Sequence, residues 1–384
     1  MNNKKPLLTL AEGSSAHWIY RTVLWGALLI FTLWLPHQVQ GFRVGQLNHA
    51  IGLAVGVLGL NMLIGYSGLL ALSHSAFIGL AAYISGILIQ YFGWPWLWTL
   101  IPSLLATFVI GSLLGFPALR IKGLYLALVT LALAVVFPTL LKMDVPVPFF
   151  KGGELSVADY TGGANGLIIK DKFHAPDWIP SFLGGDEEVI WHYYFIVFVT
   201  VIMFVLANNM LKSRAGRAVI AIRDNETGAA VSGVNLPLYK TMWFGVSAVF
   251  AGVSGFLYLV EFAFVSDTSF SLNLAILLLA GLIVGGVGTV YGAIWGGLLI
   301  VFIPWWASDV GDGPWGSVVF GVLLIVLTFV MPGGLIAGVR RVKAHLVQIV
   351  PQAPELITSS NGSADKLTAQ LNDSVEGDLE TAQN

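Results

Sequence analysis

Between Arg43 and Arg120 lie 76 consecutive residues, 44–119, without a single Asp, Glu, Lys or Arg. A soluble fold leaves no stretch of that length uncharged, because its loops must cross a wet surface rich in charged side chains. The remainder agrees: 10% of the 384 residues are charged, against about 25% in a typical soluble domain. A transmembrane barrel alternates polar and apolar residues, whereas runs such as Leu278–Gly286 are apolar all round. The expected fold class is therefore an all-α polytopic membrane protein.

A spanning helix needs about 20 mostly apolar residues. Ten segments meet that need approximately: 18–36, 45–64, 68–90, 95–116, 121–141, 191–211, 241–263, 272–287, 290–306 and 314–332. No small-residue cleavage site follows the first, so it is read as a span and not a signal peptide. Cytoplasmic loops carry the excess of Lys and Arg. A cytoplasmic amino terminus puts Arg120, Lys122, the 212–240 loop and Arg340-Arg341-Lys343 inside, 14 of the 19 basic residues in all. The 142–190 loop, with four Lys against eight acids, then falls outside. Ten crossings satisfy every loop and leave both termini cytoplasmic. The organisation expected is a cytoplasmic segment 1–17, a transmembrane domain 18–340 and a disordered cytoplasmic tail 341–384, poor in aromatics. Opposite starting sides permit helices 1–5 and 6–10 to form a 5+5 inverted repeat.

Three stretches stand out. Ser67, Ala71, Ser75, Gly79, Ala82 and Gly86 recur every three or four residues and predict a small-residue stripe on the third span, where a neighbouring helix approaches closely. Ser73, His74 and Ser75 place polar groups within the membrane. They suit either interhelical hydrogen bonding or a substrate path. The cytoplasmic loop 212–240 places Arg217, Arg223, Asp224 and Glu226 among Val219, Ile222, Ala229, Ala230, Gly233 and Val234. Short helices flanking Asp224-Asn225-Glu226, with an apolar side, suit docking into a cleft of another protein. A merely solvated, positive-inside loop is the competing reading. Finally, Gly281, Gly285, Gly288, Gly292 and Gly296 lack the spacing and the preceding strand of a dinucleotide loop and fit close helix crossing or a broken helix.

Several chemistries are excluded. The chain has no Cys, which removes disulfides, thiol catalysis and Cys-ligated metals. His17, His37, His49, His74, His174, His192 and His345 are scattered, so no metal site is indicated. A net charge of −2 without a basic stripe offers nucleic acid no footprint. No G-x-x-x-x-G-K-[ST] sequence occurs, so the chain holds no ATP in a P-loop of its own. Glu261 is the one acid within an expected span, near its external end. A secondary carrier generally keeps a carboxylate near the midplane, and a membrane-embedded enzyme needs a cluster of acids or His at one face; both classes are disfavoured.

The order and spacing of several motifs resemble the membrane permeases of branched-chain amino acid ABC transporters, in particular the LivM-type subunit. The carrying residues are Gly65-Tyr66-Ser67-Gly68 with Ser73 to Gly79, Gly123 to Leu131, Thr161 to Gly166, Ser213 to Gly233, Gly285 to Gly288 and Met331 to Leu335. The resemblance covers roughly 45–340. In the cytoplasmic loop Asn225 stands where the family commonly has a second acid, and Gly228 is expected to interrupt the helix. The resemblance implies a non-catalytic subunit of an importer in the bacterial inner membrane. It implies a homologous second permease, two ATP-binding cassette ATPase subunits that use ATP and Mg, and an extracytoplasmic binding protein. The 212–240 loop would be the segment coupled to the ATPase, and leucine, isoleucine and valine the cargo, with urea or short amides as the alternative that related permeases suggest.

Overall fold

A computed structural model describes residues 8–11, 26, 30–119, 123–146, 156–170, 173–174, 188–310 and 347–350, with scattered positions between 318 and 338. The chain divides into two compact units, 30–341 and a unit formed by 1–29 with 342–384. In the second unit Leu8–Ala11 pairs in parallel with Val347–Val350. Those last four residues belong to the segment 341–384 expected to be disordered; its other residues lie outside the described ones.

The larger unit is built of helices. Gly41–Asn61 (α1) runs without a break into a π turn, Met62–Tyr66. His74–Phe92 (α2), Leu100–Gly115 (α3) and Leu124–Leu140 (α4) follow, then the short Val157–Thr161 (α5). Glu188–Lys212 (α6) leads into two small helices, Arg214–Asp224 (α7) and Glu226–Val231 (α8). Leu236–Phe262 (α9), Leu272–Gly285 (α10) and Gly292–Val310 (α11) complete the described set. Among the described residues five helical stretches are long and apolar enough to cross a membrane, and three shorter apolar helices, α4, α10 and α11, accompany them. These eight match the second to ninth expected segments. The first and tenth fall largely outside the described residues, although 30–38 is helical.

Contacts between helix ends give each leg a direction. The carboxyl end of α1 meets α7, where the Arg223 guanidinium reaches the Gly65 carbonyl, and its amino end meets the carboxyl end of α9, where Asn48 reaches Glu261. The loop between α10 and α11 meets Asn61 at the α7 end, and Trp305 near the end of α11 lies over Arg43 at the opposite one. Lys142, just beyond α4, pairs with Asp267 beyond α9. From α1 to α11 the eight long legs therefore alternate between the end carrying α7 and α8 and the end opposite.

The centre of the bundle is α9, flanked by α1, α2 and α3. Small side chains make those approaches possible. On α3, Ser103, Thr107, Gly111 and Gly115 are buried at intervals of four while Ile101, Leu105, Val109 and Leu113 are exposed. This small-residue face lies against Thr241, Gly245, Ala248 and Gly252 of α9; a Cβ on Gly115 would sit 2.9 Å from the Thr241 Cα. Such backbone proximity is how helices associate where lipid offers no hydrophobic driving force. The expected glycine packing between α10 and α11 is present as well: a Cβ on Gly281 would lie 3.0 Å from the Gly296 carbonyl oxygen.

Three local expectations are corrected. The third span does not begin at 68: α2 starts at His74, and Gly68–Ser73 is non-helical chain leading back into the bundle. Ser67 and Ala71 therefore lie off that helix, and its small-residue stripe reduces to Ser75, Gly79, Ala82 and Gly86. Gly68 has a φ of 71°, a conformation that favours glycine, and its N–H and that of Leu69 turn back onto the Ile64 and Leu63 carbonyls. Hydropathy cannot separate an apolar extended segment from an apolar helix, which is why the boundary was misplaced. Gly228 does not interrupt a helix either; the break is Asn225, whose side chain accepts from the Gly228 N–H and caps α8. Finally, the all-α description omits a minimal antiparallel sheet, Leu167–Ile168 with Phe264–Val265.

That sheet ties the 142–170 segment to the end of α9. Within the same segment Ser156 and Asp159 form a capping box at the start of α5, two helix-end donors satisfied reciprocally. The Ser156 backbone N–H and then its hydroxyl hold the Asp159 carboxyl below the usual carboxylate range.

Candidate functional site

The α7–α8 knob is folded against its own bundle more fully than its sequence suggests. Ser213 caps α7 and Asn225 caps α8. Val219, Ile222 and Ala229, expected to face a partner, are 2%, 5% and 5% exposed and pack inward. Ala230 is exposed, and next to it Val231 is 86% exposed. The outward apolar contact is thus Ala230-Val231, and Val231 is a residue the sequence reasoning missed. Period alone did not indicate which side of so short a helix faces out.

The charged residues of the knob are also engaged. Arg217 donates from Nη1 to the Lys212 carbonyl at the end of α6 (2.7 Å). Arg223 donates from Nη1 to the Gly65 carbonyl (2.7 Å) and grips Asp224 Oδ1 through Nε and Nη2 at 2.9 and 2.8 Å. Both arginines thus meet helix carboxyl ends, where unpaired carbonyls and the helix dipole favour a cation. Glu226 pairs with Lys240, whose side chain is 8% exposed, and so links α8 to the second turn of α9. Gly233 follows α8 with a φ of 82°. Space around it is open within this chain, so a bulky residue there strains the backbone first and meets no wall of its own subunit.

Two further groups hold the same end of α1. The Trp243 indole donates to the Met62 carbonyl (2.8 Å). Asn61, fully buried, donates to the Thr289 carbonyl (2.7 Å) and accepts from the Gly288 N–H (2.8 Å). It thereby clasps the break between α10 and α11, where Gly286 and Gly288 have φ of 121° and 73°. The clasp needs Gly65 opposite, since a Cβ there would lie 2.6 Å from the Gly288 nitrogen. A single buried Asn in a long apolar run is a signal that sequence reading can flag; Asn61 was not singled out.

Ser73, His74 and Ser75 come together at the start of α2, in the interior of the bundle, each at most 1% exposed. Neither serine hydroxyl makes the interhelical hydrogen bond that the packing alternative expects, and neither imidazole nitrogen meets hydrogen-bond geometry, although the ring lies beside the Gly59 backbone and edge-on to Phe77. A buried polar group left without a partner costs about 1–3 kcal/mol. The two serine hydroxyls and the imidazole, gathered at one helix start, make the cluster a place where water or a polar solute gains hydrogen bonds.

At the opposite end Asn48 donates to Glu261 Oε2 (2.8 Å), and His192 Nδ1 stands 4.0 Å from the same oxygen. The acid noticed in the sequence is thereby enclosed between α1, α6 and α9. Among the described residues no group of three or more His, Asp or Glu is arranged to hold a metal ion.

The sequence matches a known family: the branched-chain amino acid transport system / permease component, over residues 43–328. The chain belongs to that family. It is 28% identical to the high-affinity branched-chain amino acid transport system permease protein LivM of Salmonella typhimurium over 353 residues, covering 88% of this chain and 80% of that protein. The LivM of Escherichia coli K12 matches equally, at 28% over 354 residues. The related permease LivH of Salmonella typhimurium is 22% identical across 323 residues, 80% of this chain and 96% of LivH. No solved structure gives a significant match. As a member of this permease family the chain is a multi-pass α-helical membrane protein, and the resemblance stated from its motifs holds.

Proposed function

We propose that the chain is the translocating, non-catalytic subunit of an ATP-driven importer of leucine, isoleucine and valine in the bacterial inner membrane. Membership of the permease family over residues 43–328 carries this reading, and the cargo named for the LivM relatives supplies the substrate. A homologous second permease completes the membrane part, as the existence of LivM and LivH in one organism supports. Two ATPase subunits bind ATP and Mg, and an extracytoplasmic binding protein delivers the amino acid. The full count is ten spans with both termini cytoplasmic, arranged as a 5+5 inverted repeat; the alternation of the eight described legs supports the parity.

In this reading the end carrying α7 and α8 is cytoplasmic and the knob is the coupling element. Ala230, Val231 and Gly233 present it to the ATPase cleft. Arg217, Arg223, Asp224, Glu226 and Ala229 hold its shape against α1, α6 and α9. Ser73, His74 and Ser75 line the translocation path at mid-depth.

Intact cells carrying the complete importer test the proposal. Labelled leucine uptake is expected to stop on ATP depletion while the proton gradient is clamped; uptake that survives ATP loss and follows the gradient rejects it. Val231→Arg places a charge on the exposed tip of α8, where the valine is largely solvent-facing. ATPase co-purification is expected to fall at least tenfold with the chain still inserted in normal amount. Parental co-purification together with parental uptake would remove the knob's docking role.

His74→Ala distinguishes path from packing. A side chain that serves the path loses uptake per assembled complex, by about tenfold if one hydrogen bond of about 1.4 kcal/mol to the moving solute is lost. Loss of the buried ring leaves a cavity, so thermal stability is expected to fall as well, and uptake per assembled complex is the readout that packing alone does not move. Equal uptake per complex with lowered stability assigns the residue to packing alone.

A further inference from the structure

Opposite the knob, the ends of α1, α9 and α10 enclose a cleft of about 280 Å³ that none of the foregoing roles uses. We propose that this cleft is an entry site for one branched-chain amino acid, holding its aliphatic side chain inward and its amino and carboxylate groups at the rim. The inference rests on the import reading above and extends it by naming where cargo first meets this subunit.

The lining divides by chemistry. Leu53, Ile78, Leu274 and Leu277 form an aliphatic interior, and His49, Thr268, Ser269 and Asn273 form a polar border. Ligand sites commonly combine such a largely apolar wall with a few placed polar groups, at about 300–1,000 Å³ for larger ligands. A volume just below that range admits a single amino acid and excludes a peptide. Four aliphatic side chains favour a leucine, isoleucine or valine side chain over a polar one, which would lose its hydrogen bonds to water there.

The rim is pre-positioned. One wall is the 3₁₀ turn Asp267–Phe270. Its Asp267 carboxylate is paired with Lys142 at 2.7 Å, and its Phe270, fully buried, meets Tyr83 and Tyr258 edge-on. Just before the turn, Val265 is held by the small sheet to Leu167. The Tyr258 hydroxyl meets the Ser269 hydroxyl at 3.1 Å. His49 is set between the rings of Tyr258 and Phe262, at centroid distances of 5.7 and 5.2 Å and near-perpendicular to both. Its orientation is thus fixed by aromatic contact, leaving the nitrogens to serve a solute. Behind the cleft, Ile78 is one turn along α2 from His74.

The test uses the complete importer in proteoliposomes with its binding protein and labelled L-leucine. Leu277→Trp fills the interior; uptake per assembled complex is expected to fall at least tenfold. His49→Gln preserves size and polarity but moves the donor and acceptor positions, and is expected to raise the half-saturating concentration of loaded binding protein about three- to tenfold with the maximal rate retained. Leucine affinity of the isolated binding protein stays as in the parent, since that chain is untouched. Assembled Leu277→Trp importer that transports leucine at the parental rate overturns the site and leaves a lipid-filled or structural cleft. If Leu277→Trp fails to assemble, an unchanged saturation curve for His49→Gln overturns it on its own. A parental importer that takes up no leucine with ATP present defeats the import reading itself, an outcome distinct from a variant that merely matches an active parent.

Discussion

Replacement of Asn61 by leucine is expected to remove most of the folded, assembled chain from the membrane. The substitution keeps the volume but deletes both bonds of the clasp, leaving the Gly288 N–H and the Thr289 carbonyl without it in a buried setting. Each unsatisfied backbone group costs about 1–3 kcal/mol. The lower part of that range applies in a bilayer, because the membrane-inserted unfolded state also finds partners. A loss of about 2–4 kcal/mol is a large fraction of the roughly 5–15 kcal/mol that holds a typical protein folded. Asn61→Asp retains the acceptor toward Gly288, and burial keeps its carboxyl protonated so that the O–H can donate toward Thr289 at a desolvation cost; it should fall between parent and Asn61→Leu. Thermal denaturation in detergent, with amide exchange at Gly288, reads the series. Parental melting for Asn61→Leu would mean that the break between α10 and α11 is held by glycine packing alone.

The second large effect is expected at Glu226, for a reason other than partner docking. Its carboxylate is paired with Lys240, so Glu226→Ala leaves an ammonium 8% exposed and unpaired. Breaking a fully buried pair costs about 3–5 kcal/mol; Glu226 itself keeps 34% exposure, so water offsets part and about 2–3 kcal/mol is expected. The knob should then loosen from α9, exposing α8 to protease in the isolated chain. Lys240→Met added to Glu226→Ala removes the stranded charge and should restore much of the protection. ATPase association ought to recover in the double variant as well. A double variant no better than Glu226→Ala would show that the carboxylate is read by the ATPase directly and is more than an internal tie.

Much of the helical architecture was legible because hydropathy is integrated over twenty residues and survives local irregularity. Segments 45–64, 95–116 and 191–211 each contain or closely follow a described helix core. What failed was information carried by single backbone groups. The start of α2 at His74 depends on a non-helical approach, 68–73, whose Leu72 N–H finds the Thr130 hydroxyl from a helix 58 residues away. The roles of Arg217 and Arg223 depend on helix ends at Lys212 and Gly65 that lie near them only in space. Positive-inside counting accounts for their presence in that loop and says nothing of the carbonyls they cap. Likewise, helical periodicity put Val219, Ile222, Ala229 and Ala230 on one apolar side, but the bundle takes the first three and leaves Ala230 with Val231.

The grip on the end of α1 has a mechanical consequence. Trp243 holds the Met62 carbonyl and Arg223 the Gly65 carbonyl, three residues apart on one continuous helical stretch of 26 residues. At about 1.5 Å per residue such a stretch is about 39 Å long. A rod of that length held near one end acts as a lever: tilting it by about 5° carries the other end through about 3 Å by the same geometry. The far arm bears Asn48 and His49. A small rocking of the arginine-bearing helix is therefore magnified into a displacement comparable to an atomic diameter at the opposite face.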